Sequence, residues 1–267
     1  MIKKEVEKIL QYVQKPARYV GGELNSVVKN PDEVALRYAF CFPDTYEIGM
    51  SHLGMKILYG LVNARDDAWC ERVFAPDTDM EELMRKNNIP LFALESGDYI
   101  KDFDIIGFTL QYELSYTNVL NMLDLAGIKL FSKDRTELTP IICCGGPCAC
   151  NPEPIADFFD IVFLGDGEET TEQVLDLLKY CKKNGLSKHD FLLKAKDIRG
   201  IYVPSFYEPS YNNDGTLREL KPINGAPEKI KKAVVRNMDT CYYPDKFVVP
   251  FINIAVSYTH LTLPTTS

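Results

Sequence analysis

Histidine and tryptophan are scarce here, three and one in 267 residues. No two histidines stand at ligand spacing, and a catalytic histidine would have no evident partner. No apolar run reaches the roughly 18 residues that a membrane-spanning helix needs. The opening Met1-Ile2-Lys3-Lys4-Glu5 leads into an amphipathic pattern instead of a signal peptide. No membrane partner is therefore expected. Phosphate-binding signatures are missing: there is no P-loop and no Gly-x-Gly-x-x-Gly after a strand. Ser51 and Ser115 lack the context of a nucleophile elbow. Positive charge is in deficit, 30 Lys and Arg against 38 Asp and Glu, net −8. That balance argues against a generic nucleic-acid-binding surface, though not against a local basic patch.

What is present is an alternation of apolar runs and amphipathic stretches. Val34 to Phe42, Cys70 to Phe74, Phe103 to Leu110, Pro140 to Cys144 and Ile161 to Leu164 have the length and composition of buried parallel strands. Between them, Met55, Leu58, Leu61 and Val62 mark a helix face ending near Asn63. Asp77, followed by further carboxylates, caps another helix. Tyr116 to Ala126 and Glu168 to Cys181 are two more. Strands alternating with helices at this spacing predict an α/β fold, an open doubly wound parallel sheet of Rossmann-like or flavodoxin-like type, with strand order 2-1-3-4-5.

Four regions are expected. Residues 1–30 are an N-terminal helix and arm, and 31–198 the α/β domain. Residues 199–256 are a β-rich connector, in which Gly200 to Pro204 and Thr216 to Pro222 read as a hairpin around Asn212-Asn213-Asp214-Gly215. Residues 257–267 contain no Asp, Glu, Lys or Arg and no period. They resemble a translated sequencing-adapter tail and are expected to be artefactual, disordered and dispensable.

The predicted site lies where glycines end two strands: Gly145-Gly146-Pro147 and Gly165-Asp166-Gly167-Glu168. Glycine there lets the backbone turn and lets a flat ligand approach. In an open α/β sheet this edge is where ligands bind. A planar or nucleotide-like ligand is expected over Gly145 and Gly146. Glu168 and Glu169 also read simply as first-turn carboxylates facing a helix dipole. Thr109-Leu110 ends the third strand, and His52 stands near the start of the first helix.

Eight cysteines without a secretion signal read as reduced thiols of a cytoplasmic protein. Cys144 and Cys148 have the first spacing of CxxxCxxC, but the third position is Asn151 and Cys150 comes one place early. Cys143 and Cys144 should point to opposite faces of the sheet. Buried thiols are expected and no metal is assigned.

Asp44-x-Tyr46-x-x-Gly49 lies in the expected loop after the first strand. It resembles the Asp-x-His-x-x-Gly of cobalamin-binding domains, with Tyr46 in place of the cobalt-ligating histidine. Lys15 to Glu23, Phe42 to Gly54, Leu110 to Asn118 and Gly145 to Pro154 together resemble the N-terminal half of bacterial cobalamin-binding-domain radical S-adenosylmethionine (SAM) proteins of a long subgroup. The resemblance implies cobalamin as a small-molecule cofactor at Asp44, Tyr46, Gly49, His52, Thr109, Leu110, Gly145, Gly146, Pro147, Gly165, Gly167 and Glu168. It implies a following radical SAM domain in the same parent chain, where CxxxCxxC holds a 4Fe-4S cluster that cleaves S-adenosyl-L-methionine. Methyl transfer or another radical modification, of RNA or of protein, is the implied activity, with this fragment alone inactive. Two other readings stay open: a cofactor-free substrate-recognition or interaction module, and a flavodoxin-like binder of flavin or nucleotide.

Overall fold

A computed structural model describes residues 3–254. The 257–267 tail lies outside the described residues.

Five short strands carry the sheet because their apolar side chains are needed on both faces. They are β1 (Leu36–Phe42), β2 (Ala68–Phe74), β3 (Ile105–Thr109), β4 (Ile141–Gly145) and β5 (Ile161–Phe163), and all five pair in parallel. A sixth, β6 (Ile201–Tyr202), joins β5 antiparallel and gives the order β2-β1-β3-β4-β5-β6. The predicted 2-1-3-4-5 order is thus present, with an unpredicted antiparallel edge.

Alternation along each strand sends neighbouring residues to opposite faces. Tyr38, Phe40 and Phe42 pack with helices α3 (Leu53–Asn63), α6 (Glu168–Lys183) and α7 (Lys188–Ala195). Ala39 and Cys41 face α1 (Lys4–Leu10), α4 (Thr78–Asn87) and α5 (Tyr116–Leu125). Cys143 and Cys144 separate as expected, the first to the α3–α6 layer and the second to the other.

Helix ends follow their local chemistry. The Asp77 side chain accepts from the Thr78 N–H at the start of α4, and Asn88 at φ +53° closes that helix. Ser187 and Asp190 form a reciprocal capping box on α7.

Two expectations are corrected. The segment after β1 is not simply a loop: Tyr46–Gly49 makes one helical turn, α2, because Tyr46 and Gly49 bury against Phe74. The hairpin does not begin at Gly200. Its arms are β7 (Tyr207–Tyr211) and β8 (Leu217–Pro222), since Ile201 and Tyr202 bond to β5 instead.

Beyond the hairpin the chain returns as a strap. Ala233 bridges Gly165 in parallel and Val249 bridges Leu24 antiparallel. Among the described residues no helix is long and apolar enough to cross a membrane.

Candidate functional site

In the sheet order β1 lies between β2 and β3, so the connections diverge on either side of it and leave a crevice at the strands' carboxyl ends. A cleft of about 330 Å³ lies there, between the sheet and helices α3 and α6. That is near the lower end of small-molecule sites. Tyr38, Phe40 and Phe163 supply an apolar wall, and His52, Thr109, Gln111 and Glu168 supply polar groups.

The glycines around it have different jobs. A Cβ on Gly145 would meet only Phe163, at 3.4 Å, so this glycine opens onto the cleft. Gly146 has φ +99°, and a Cβ would come within 2.7 Å of the Leu110 carbonyl oxygen. It lets the loop after β4 pass the Leu110 backbone, which donates to the Gly145 carbonyl at 2.7 Å and accepts from the Cys148 N–H at 3.1 Å. Gly165, at φ +102°, makes room for the strap: a Cβ there would be 2.1 Å from the Ala233 oxygen. Gly167 is the N-cap residue of α6.

His52 is fixed by the helix that it starts. Its Nδ1 accepts from the Met55 N–H at 3.1 Å, so the proton of the neutral ring sits on Nε2. Burial lowers its pKa, against a hydrogen bond with Gln111 that raises it. Gln111 also donates to the Thr109 hydroxyl at 2.6 Å, joining three rim residues. Burial pushes the Cys143 and Cys144 thiols up, so both stay protonated.

Eight of the residues singled out by sequence line this one cleft: His52, Thr109, Gly145, Gly146, Pro147, Gly165, Gly167 and Glu168. Four do not. Asp44 accepts from Tyr112, tying the loop after β1 to the loop after β3. Tyr46 is 1% exposed and donates to Glu23 at 2.9 Å. Gly49 faces the Phe74 ring, where a Cβ would come within 2.3 Å. The Leu110 side chain packs into the opposite layer. Tyr38, Phe40, Gln111, Phe163 and Thr171 line the cleft without having been singled out. The period-2 alternation of Tyr38 and Phe40 was the signal for the wall. Among the described residues no group of three or more His, Cys, Asp or Glu is placed to hold a metal ion.

An uncharacterized protein of Methanocaldococcus jannaschii is 26% identical over 222 residues, covering 78% of this chain and 42% of the relative. The chain thus spans less than half the length of that relative. No solved structure matches. Residues 54–204 match the family described as radical SAM proteins, N-terminal. That stretch is more than half of the chain and takes in β2 to β6, α6 and nearly all of α3, so the chain belongs to the family of radical SAM protein N-terminal regions.

Proposed function

We propose that this chain is the ligand-holding N-terminal part of a radical SAM enzyme and that its cleft takes a corrinoid, presented to the radical SAM core of the same parent chain. The observation that carries this reading is Gly145, which opens onto an apolar-walled cleft at the carboxyl edge of a parallel sheet. A broad, flat ring can lie across such an edge with part of its body in the cleft. A bound cobalamin would supply a methyl carrier; transfer of a methyl group, or another radical modification, is the activity that follows. Exposed Leu53, Tyr112 and Leu114 stand on the segments after β1 and β3 at this edge. They offer the core an apolar contact.

The residues fit a corrinoid held by its ring and not by a cobalt–histidine bond. The Tyr46 phenol is committed to Glu23, and burial raises its pKa above the usual value. His52 would have to give up the Met55 cap for Nε2 to offer a lone pair. A bound corrinoid would then take no ligand from Tyr46 or His52.

Titration with hydroxocobalamin, followed by absorbance, tests binding. Electron paramagnetic resonance of the cobalt(II) form should show no nitrogen superhyperfine splitting, and His52→Ala should leave the spectrum unchanged. A nitrogen triplet lost in His52→Ala would make this histidine the ligand. Absence of binding would favour an interaction module without cofactor, the reading that the closed packing of Tyr46 and Gly49 supports. Binding of flavin in preference to corrinoid would favour the flavodoxin-like reading.

A further inference from the structure

Charge is segregated along the chain. Residues 194–236 hold nine Lys and Arg against five Asp and Glu, a net of +4. The remaining residues hold 21 against 33, a net of −12. Four of the cations, Lys229, Lys231, Lys232 and Arg236, are exposed on the strap and make no ion pair with any described residue.

The backbone beneath them is firmly held. The Ala233 N–H donates to the Leu164 oxygen at 2.8 Å, and the Ala233 oxygen accepts from the Asp166 N–H at 3.0 Å. The Val235 N–H donates to Asp166 Oδ2 at 2.7 Å, and Arg199 Nε donates to the Lys232 oxygen at 3.1 Å. Gly165, Asp166 and Gly167, which receive the strap, also line the cleft. The cations are therefore free at their tips, anchored at their bases, and set along the β5 side of the cleft.

We propose that this strap binds the phosphate backbone of a single-stranded polynucleotide and lays it beside the cleft, which would make a nucleic acid the substrate class of the site. The substrate assignment rests on the cleft being the reactive site; the binding does not. Three of the four cations are lysines, which meet phosphates as compact point charges without needing a fixed fork geometry. Lys229 and Lys231, two residues apart, can be at most about 6.6 Å apart along the backbone, a reach suited to consecutive phosphates. Ile230 packs on the core and Ala233 is buried, leaving Val234 as the single exposed apolar side chain between Lys229 and Arg236. Between Lys229 and Arg236 the surface thus offers charge with little of the apolar area on which protein partners depend, and the next exposed apolar side chain is Met238. The acidic remainder repels a polyanion elsewhere and so favours this one register. A single strand is favoured because unpaired bases can leave the stack and approach a cleft.

The test is fluorescence anisotropy of the full chain with a short labelled single-stranded RNA and with DNA of the same sequence. Dissociation constants on the order of 10⁻⁴ to 10⁻⁶ M are expected near physiological salt. Four phosphate contacts predict a loss of about 50-fold between about 50 and about 200 mM salt. The combined variant Lys229→Gln, Lys231→Gln, Lys232→Gln and Arg236→Gln should bind at least about tenfold more weakly, because it loses these contacts, with an unchanged melting temperature. A preference for RNA or for DNA supports the proposal and names the polymer. Failure to bind either at low salt, undiminished binding by the variant, or equally strong binding of polyglutamate would overturn it. Hydroxocobalamin titration of the same variant reports on the cleft separately.

Discussion

The Tyr46 hydroxyl donates to Glu23 Oε1 at 2.9 Å, and the other oxygen of that carboxylate accepts from Arg72 at 2.8 Å. Arg72 reaches Glu95 on its other side, at 2.6 Å, and all three charged side chains are almost wholly buried. This network joins the N-terminal arm, α2 and β2. Tyr46→Phe removes one hydrogen bond to a charged acceptor and should cost about 1.5–3 kcal/mol. Arg72→Met leaves two buried carboxylates unpaired and should cost about 3–5 kcal/mol. Urea denaturation measures both. Corrinoid affinity should be the same in Tyr46→Phe and wild type, and a large change would return Tyr46 to the site.

Glu71 predicts a pH dependence of stability. It is fully buried, and its pKa is pushed up to about 6, first by burial and further by Glu95, against hydrogen bonds from Ser96 and Arg37. Arg37 also contacts Asp98. The folded protein therefore holds a proton that the unfolded chain releases near the ordinary glutamate value of 4.5. Unfolding free energy should fall as pH rises between these values, by about 2 kcal/mol in all. His52, with a lowered pKa, acts in the opposite sense below its ordinary value of 6.5. The difference between wild type and Glu71→Gln in urea midpoints at pH 5 and pH 7 isolates the glutamate: the variant should lack this falling component.

The glycines of the cleft should divide into two classes. Gly146→Ala and Gly165→Ala place a Cβ at positive φ and against backbone oxygens, so each should lower stability by at least about 1–2 kcal/mol. Gly145→Val keeps an ordinary strand conformation and projects toward Phe163. It should leave the melting temperature within a few degrees of wild type while abolishing ligand uptake. Thermal melts and absorbance titration separate the two behaviours, and unimpaired binding by Gly145→Val would remove the cleft from consideration.

Anaerobic reconstitution with iron and sulfide should give no stable iron–sulfur absorbance. Cys143 and Cys144 are buried on opposite faces, leaving Cys148 and Cys150 short of the thiolate set that such a cluster needs. A stoichiometric chromophore that disappears in Cys148→Ser would refute this.

Strand positions and order were legible because buried parallel strands are short, apolar and punctuated, and because Asp77 marks the start of α4 and Gly127, at φ +70°, follows the end of α5. Ile201 and Tyr202 were read as strand but given to the hairpin, because a stretch of two residues carries no period that names its partner. The rim of the cleft was legible through the glycines at the ends of β4 and β5. The reading of Asp44, Tyr46 and Gly49 rested on spacing. Spacing cannot tell whether a residue after a strand turns toward the crevice or beneath it. The partners that draw Tyr46 inward, Glu23 and Arg72, are 23 and 26 positions away on other elements. Conversely, the function of Gly165 depends on Ala233, a contact across 68 positions that no local window contains.

The clasp between Leu24 and Val249 joins residues 225 positions apart. Closing so long a loop brings a large entropic cost before any contact rewards it. The strap should therefore dock after the sheet has formed, and its contacts should be absent from the folding transition state. Substitutions in the clasp, such as Val249→Ala, would then speed unfolding while leaving the refolding rate nearly constant. The fastening governs how long the native state lasts more than how quickly it is reached.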